Sequence, residues 1–137
     1  MIKKFIFGIW ASCISYSVNA QNVKRIDCVL LNKAVETEIF QKQFYICSTQ
    51  EDISIIDTSM YFKGCGLPEV CSRKFSLYNK FNDSMGNKTA IVIYRVDNIK
   101  HTYSLYFYRP HTGASLNLKF RYKKNKVKLL GYEVGAF

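Results

Sequence analysis

Hydrophobic and polar residues alternate with a period of two along most of the chain, and β-branched and aromatic residues are dense in the same segments. This pattern is typical of half-buried β-strands. Val35, Ile39 and Phe40 also satisfy helical spacing, so residues 33–43 allow one short helix instead. We expect strands over residues 26–31, 38–47, 54–62, 74–81, 89–96, 102–108, 116–123 and 127–134.

Short polar segments separate the later predicted strands, at residues 82–87, 97–98, 110–113 and 124–125. Each contains residues that accept turn dihedrals. Strands so close in sequence are linked most simply as an antiparallel meander. The sequence therefore predicts a mainly β fold, in which a meander forms a small sandwich or a partly open barrel.

The first twenty residues have the organisation of a signal peptide. Lys3 and Lys4 precede the apolar run of residues 5–16, and the small residues Val18 and Ala20 suit a cleavage site. We expect a signal peptide at 1–20 and a single domain at 21–137, a length that suits one hydrophobic core. An opening of this kind is typical of bacteria, which predicts a periplasmic or secreted protein that does not span the membrane.

A lipid anchor is the alternative reading of the leader. Ala11 and Ser12 before Cys13 resemble the end of a bacterial lipoprotein signal. Trp10 is a poor residue three places before such a cysteine, and the apolar run before it is short. Cleavage after Ala20 is therefore favoured.

Four cysteines follow the leader: Cys28, Cys47, Cys65 and Cys71. An even number in an oxidising compartment predicts two disulfides. Of the three pairings we favour Cys65 with Cys71 and Cys28 with Cys47, because joining near neighbours costs the least chain entropy. The spacing lacks the paired Cys-x-x-Cys units of a zinc site, so we expect no metal and no cofactor.

The positive charge is concentrated near the C-terminus. The formal net charge is +10, and loss of Lys3 and Lys4 with the leader lowers it to +8. No acidic residue lies between Asp97 and Glu133. Strand alternation and a tight turn at 124–125 are expected to gather five cations on one face: Lys119, Arg121, Lys123, Lys126 and Lys128. This face is either a solvated surface that blunts a sheet edge, or a docking surface for an acidic partner.

The segment between Cys65 and Cys71 is a second candidate for binding. If these two cysteines pair, Leu67, Pro68 and Glu69 stand on a small rigid loop. A loop that is already ordered loses little entropy when it binds. The alternative is that the disulfide merely holds a long loop in place.

The two histidines, His101 and His111, lie at either end of one predicted strand. At ~3.3 Å per residue they are about 30 Å apart, which does not suit an acid and base pair of a ribonuclease-like hydrolase. No catalytic motif accompanies them, so we expect no catalytic residues and no enzyme. Four tyrosines near the cations would allow bases to stack, although export argues against nucleic acid: Tyr103, Tyr106, Tyr108 and Tyr122.

The C-terminal hairpin resembles that of small exported bacterial β proteins, namely immunity proteins and lysozyme-inhibitor-like proteins. The resemblance is carried by residues 118–122 (Leu-Lys-Phe-Arg-Tyr), 127–133 (Val-Lys-Leu-Leu-Gly-Tyr-Glu) and 103–113. The aspartate-rich calcium loop of some relatives has no counterpart here. The resemblance implies a protein that occludes the active site of a cell-wall-degrading hydrolase. A binder of anionic envelope polysaccharide or lipid head groups is the first alternative, and a small secreted ribonuclease-like hydrolase is the second.

Overall fold

A computed structural model describes residues 25–81 and 89–136. The predicted signal peptide, Cys13 and the turn at 82–87 lie outside the described residues. The chain begins with two short helices and one turn of 3-10 helix, and strands follow to its end. The elements are α1 (Cys28–Glu36), α2 (Glu38–Gln43), the 3-10 turn Ile46–Ser48, β1 (Ile53–Ile56), β2 (Phe75–Tyr78), β3 (Ala90–Ile99), β4 (Thr102–Tyr108), β5 (Ala114–Lys123) and β6 (Lys126–Ala136).

The six strands form one mixed sheet in the order β2-β1-β3-β4-β5-β6, and the sheet does not close. The mainly β prediction is confirmed, as is the antiparallel meander from β3 to β6. The first two strands are not part of this antiparallel meander, because β1 pairs in parallel with both β2 and β3. The long segment 57–74 makes the parallel β1–β2 pair possible, because parallel neighbours need an extended crossover.

The predicted strands at 26–31 and 38–47 are wrong, because both segments contain helix. Asp27 begins α1 by accepting a hydrogen bond from the Val29 backbone N–H at 3.0 Å. Thr37 begins α2 in the same way, accepting from the Phe40 N–H at 3.3 Å. Side-chain caps of this kind stabilise a helix N-terminus by about 1 kcal/mol each. The short-helix alternative for 33–43 was closer to the structure, although the helices begin earlier and break at Thr37.

The helices cover one face of the sheet. Along α1 the buried residues are Leu30, Leu31, Ala34 and Val35. Phe40 of α2 packs edge-on against Phe107 of β4, with ring centroids 5.2 Å apart. Leu105 and Phe107 of β4, and Leu116, Leu118 and Phe120 of β5, join the same buried cluster. Alternation places the intervening strand residues on the opposite face, here called the outer face.

The four cysteines form two disulfides, as predicted, but the favoured pairing is wrong. Cys28 is bonded to Cys65, with Cα atoms 5.5 Å apart, and Cys47 to Cys71, with Cα atoms 5.2 Å apart. Joining near neighbours costs the least entropy only in a chain that nothing else constrains. Helices α1 and α2 lie between Cys28 and Cys47, and the 65–71 segment runs beside the helical layer, so each cysteine meets its partner across the fold.

Candidate functional site

The C-terminal hairpin presents five cations on the outer face. Arg121 lies opposite Lys128 and Lys123 opposite Lys126, while Lys119 lies opposite Gly131. Directly opposed residues of an antiparallel pair share a face. The five side chains therefore lie on one face of the hairpin, as the alternation of residues along the strands predicts. We call this set the basic face: Lys119, Arg121, Lys123, Lys126 and Lys128. Their role in binding stays a prediction.

A two-residue turn closes this hairpin. Lys124 and Asn125 both have positive φ, 54° and 64°. Two-residue hairpin turns of type I′ require positive φ at both positions, and asparagine tolerates it well. The turn sets the register that brings Lys126 opposite Lys123.

The cations of the basic face are exposed. Within residues 25–81 and 89–136, the ion pairs are Lys42 with Glu38 and Arg95 with Asp97, so none of the five cations is neutralised there. The nearest carboxylate on β6 is that of Glu133, which accepts a hydrogen bond from the Asn117 amide at 3.5 Å. The basic face is therefore a concentrated, solvent-facing positive surface.

A cluster of three tyrosines adjoins the basic face. The ring of Tyr94 lies 5.8 Å from that of Tyr106 and 5.6 Å from that of Tyr108. The Arg95 guanidinium lies 5.1 Å from the centre of the Tyr106 ring and pairs with Asp97 at 3.0 Å. Partial burial raises the pKa of Tyr94, and neighbouring Tyr106 acts in the same direction. We call Tyr94, Tyr106 and Tyr108 the tyrosine cluster.

Sequence reasoning missed Tyr94 and Arg95, and it grouped the other tyrosines incorrectly. A register shift between Ile93 and Arg95 interrupts the alternation of β3, so both side chains reach the outer face. Tyr103 and Tyr122 pack instead with the residues of the helix-covered face. No local signal marks the β3 bulge in advance.

The second candidate segment, residues 65–71, is anchored differently from the prediction. Its two ends are tied separately to the helical layer, through Cys28 and Cys47. Leu67 packs against the core, Pro68 is half-buried and Glu69 is exposed. Leu67 therefore has a packing role, and the segment is not a loop closed by its own disulfide.

The histidines are not brought together. His101 lies in the turn between β3 and β4, and His111 lies in the connection between β4 and β5 at the other end of the same strand. Seven residues of β4 at ~3.3 Å each separate them by over 20 Å. The geometry does not support a two-histidine acid and base pair.

Asp57 is the most deeply buried carboxylate among the described residues, with 2% of its surface exposed. It accepts hydrogen bonds from the backbone N–H groups of Tyr61 at 3.1 Å and Phe62 at 2.7 Å. Burial raises the pKa of Asp57, and these hydrogen bonds oppose that effect. Its oxygens are used to close the turn after β1, which is why β1 ends at Ile56 rather than at the predicted residue 62.

Asp57 also lies at the edge of a cavity of about 340 Å³ beside the carboxyl ends of β1 and β2. Lys63, Tyr78 and Lys80 line the same cavity. Across the described residues, no group of three or more His, Cys, Asp or Glu is placed to hold a metal ion. The same residues contain no helix long and apolar enough to cross a membrane.

Comparison with known proteins found no matching family model, no matching curated protein and no matching solved structure. The resemblance to exported immunity and inhibitor proteins therefore stays a prediction, based on residues 103–113, 118–122 and 127–133.

Proposed function

We propose that this is an exported binding protein whose basic face docks on an acidic partner. The partner is the active-site cleft of a cell-wall-degrading hydrolase, and the chain acts as its inhibitor or immunity protein. The observation that carries the proposal is the exposed, un-neutralised basic face on one hairpin.

The basic face has a stability cost that a partner would relieve. Arg121 opposes Lys128, and Lys123 opposes Lys126, across neighbouring strands. Like charges in such positions destabilise a sheet by a few tenths of a kcal/mol per pair. An acidic surface replaces this repulsion with attraction and accelerates association by steering.

The shape of the hairpin suits a cleft. Pairing between β4 and β5 stops at Thr102 with Arg121, so residues 123–126 continue beyond the end of β4, while Tyr122 and Val127 pack against the core. The tip is held by its own ladder, and the Tyr122 backbone N–H donates to the His101 carbonyl at 2.8 Å. A projecting and ordered tip loses little conformational entropy when it enters an active site.

The two disulfides suit an oxidising, extracellular environment. We further propose that the protein lies in the periplasm or is secreted. A hydrolase that cuts the cell wall works in that same compartment.

Inhibition of purified cell-wall hydrolases, both glycan-cleaving and peptide-cleaving, tests the proposal. We expect the mature chain to stop the clearing of a peptidoglycan suspension by its target, and to co-elute with it in gel filtration. Reversal of Lys119, Arg121 and Lys123 to glutamate should weaken inhibition at least tenfold, and added salt should weaken the wild type.

Reversal of Lys33, Lys63 and Lys74 to glutamate is the matched control. It changes the net charge by the same amount on exposed lysines elsewhere. The proposal predicts that this control inhibits nearly as well as the wild type. If both variants lose inhibition equally, only the net charge matters and the basic face is not a specific docking surface. If the Lys119, Arg121 and Lys123 variant inhibits as well as the wild type, the basic face is not part of the interface.

The tyrosine cluster favours a second candidate, an anionic envelope polysaccharide. Tyr94 is 44% exposed and Tyr106 and Tyr108 are half-buried on the outer face, so the cluster offers aromatic ring surface on which a sugar ring can stack. Lys119, on the same face, offers a cation for the acidic groups of the polymer. Binding of the mature chain to a polyuronate tests this candidate. If Tyr94→Ala and Tyr106→Ala each abolish binding and the control Tyr103→Ala does not, the polysaccharide is favoured over a hydrolase.

A further inference from the structure

The last strand, β6, lies at the edge of the sheet. It has eleven residues, and among the described residues nothing pairs with its outward side. It also carries three exposed apolar side chains, with 48% of Leu130, 55% of Tyr132 and 54% of Val134 accessible. A long edge strand of this kind is a template on which another strand can pair.

A bulge divides β6 into two halves with opposite alternation. Lys119 pairs with Gly131, and Phe120 with Leu129, so Leu130 is an extra residue. Before the bulge, Val127 and Leu129 lie on the helix-covered side. After it, the residues on that side are Tyr132 and Val134, opposite Leu118 and Leu116.

Lys128 and Glu133 lie on the outer side, one in each half. They sit symmetrically about Gly131 once the extra residue Leu130 is set aside. A Cβ placed on Gly131 would meet no atom within 4 Å, so the backbone there is open to close approach. Gly131 is therefore the natural centre of a symmetric contact.

We propose that two copies of this chain pair through β6, antiparallel, about a twofold axis at Gly131. When two strands pair, residues on the helix-covered side must oppose residues on that side, and outer residues must oppose outer residues. This register meets that condition on both sides of the bulge in each copy. It opposes Leu129 to Tyr132 of the second copy and Val127 to Val134. On the outer side it opposes Lys128 to Glu133, and symmetry repeats the pair.

Charge complementarity favours a second copy as the occupant, and charge together with the length of the overlap selects this register. Moving the axis to Tyr132 keeps the sides matched but leaves Lys128 opposite Gly135 and Glu133 opposite Gly131. Moving it to Leu129 opposes Lys126 to Glu133, but it shortens the overlap and separates Val127 from Val134, so Lys126→Glu distinguishes the two registers. The Gly131 register also sets Lys126 opposite Gly135, so no lysine faces another lysine between the copies.

The dimer goes beyond the proposed function: it engages Lys128 with Glu133 of the second copy and leaves Lys119, Arg121, Lys123 and Lys126 of the basic face without an opposed carboxylate. The two hairpin tips point in opposite directions along the paired strands, so both remain free to bind. The two outer faces join into one surface with a basic face at each end, because each basic face lies beside the C-terminal half of the other copy's β6.

Sedimentation equilibrium of the mature chain, without any partner, tests the proposal. We expect a dimer whose fraction rises with concentration in the micromolar range. Lys128→Glu and Glu133→Lys each place two like-charged pairs at the contact, and each should weaken dimerisation about tenfold or more. The double swap, Lys128→Glu with Glu133→Lys, should restore it.

Lys126→Glu is the matched control, because Lys126 opposes a glycine, and it should dimerise as the wild type does. Circular dichroism melting of each variant shows whether the fold is retained. A wild type that stays monomeric up to about 1 mM overturns the proposal, whatever the hydrolase assay shows. A double swap that folds but does not dimerise overturns the register and with it the inference.

Discussion

The guanidinium of Arg109 donates a hydrogen bond from Nη1 to the carbonyl oxygen of Phe44 at 2.6 Å. This contact ties the end of β4 to the end of α2, and Arg109 is only 6% exposed. Burial lowers the pKa of Arg109, an effect that Glu51 opposes. One cation of the basic C-terminal region is therefore a structural link between sheet and helices.

Replacing Arg109 should cost stability. We expect Arg109→Met to lower the free energy of unfolding by about 1.5–3 kcal/mol, because the Phe44 carbonyl loses a charged donor in a buried place. Urea denaturation measures the loss. Arg121→Met, on the exposed basic face, should change stability by less than about 0.5 kcal/mol. Similar losses at the two arginines would contradict the structural role of Arg109.

Peptide mapping under non-reducing conditions checks the disulfide pairing. Trypsin cleaves on both sides of residues 64–73, a peptide that contains Cys65 and Cys71. The observed pairing predicts that this peptide stays joined to both the Cys28 and the Cys47 peptides. Further cleavage after Glu69 should then separate a Cys28–Cys65 product from a Cys47–Cys71 product. Release of 64–73 as a single internally bonded peptide would contradict the structure.

The two disulfides should also contribute unequally to stability. They span 37 and 24 residues, so loop closure predicts about 4 kcal/mol for Cys28–Cys65 and about 3.5 kcal/mol for Cys47–Cys71. Double serine replacement of each pair, followed by denaturant unfolding, measures both values. Because the two loops overlap in sequence, each bond closes a shorter effective loop while the other is present, so removal of both disulfides should cost more than the sum of the two single losses.

Tyr122 lowers the pKa of Asp27, the residue that begins α1. Its hydroxyl donates to the Asp27 carboxylate, which lowers the pKa of Asp27, and the Val29 N–H adds to this. The stability from this contact is therefore present above the ordinary aspartate pKa of about 3.9 and is lost as the pH falls through the lower folded value. Tyr122→Phe should raise the pKa of Asp27, measured by NMR titration of its carboxyl carbon, whereas Tyr103→Phe should leave it unchanged.

Asp57 should show the opposite pH dependence. Burial raises its pKa, so the folded protein holds this proton at pH values where the unfolded chain has released it. That contribution is present below about pH 3.9 and is lost as the pH rises through the folded pKa. The stability of the wild type relative to Asp57→Asn should therefore fall across this interval. A constant stability difference between the wild type and Asp57→Asn across this interval would contradict the assignment.

Prediction from sequence was most accurate for elements that depend on residues close together in the chain. The positions of β3 to β6 and the shared face of Lys119, Arg121 and Lys123 follow from alternation and from the turn at Lys124. It failed for Tyr94, because the β3 bulge reverses the alternation without any marker in the residues. It failed for α1 and α2, because β-branched and aromatic residues there suit a strand as well as a helix, and packing against the sheet decided between them.

The sequence by itself determined the meander, the hairpin register and the presence of paired cysteines, since each depends on neighbours a few residues apart. Only the tertiary structure decided that β1 runs parallel to its neighbours, that Cys28 meets Cys65, that Leu67 is packed inside and that Arg109 is buried. These features depend on which face of the sheet the helices cover. That choice is made by the fit of Phe40 and Phe44 against Phe107, residues that lie more than sixty positions apart in the chain.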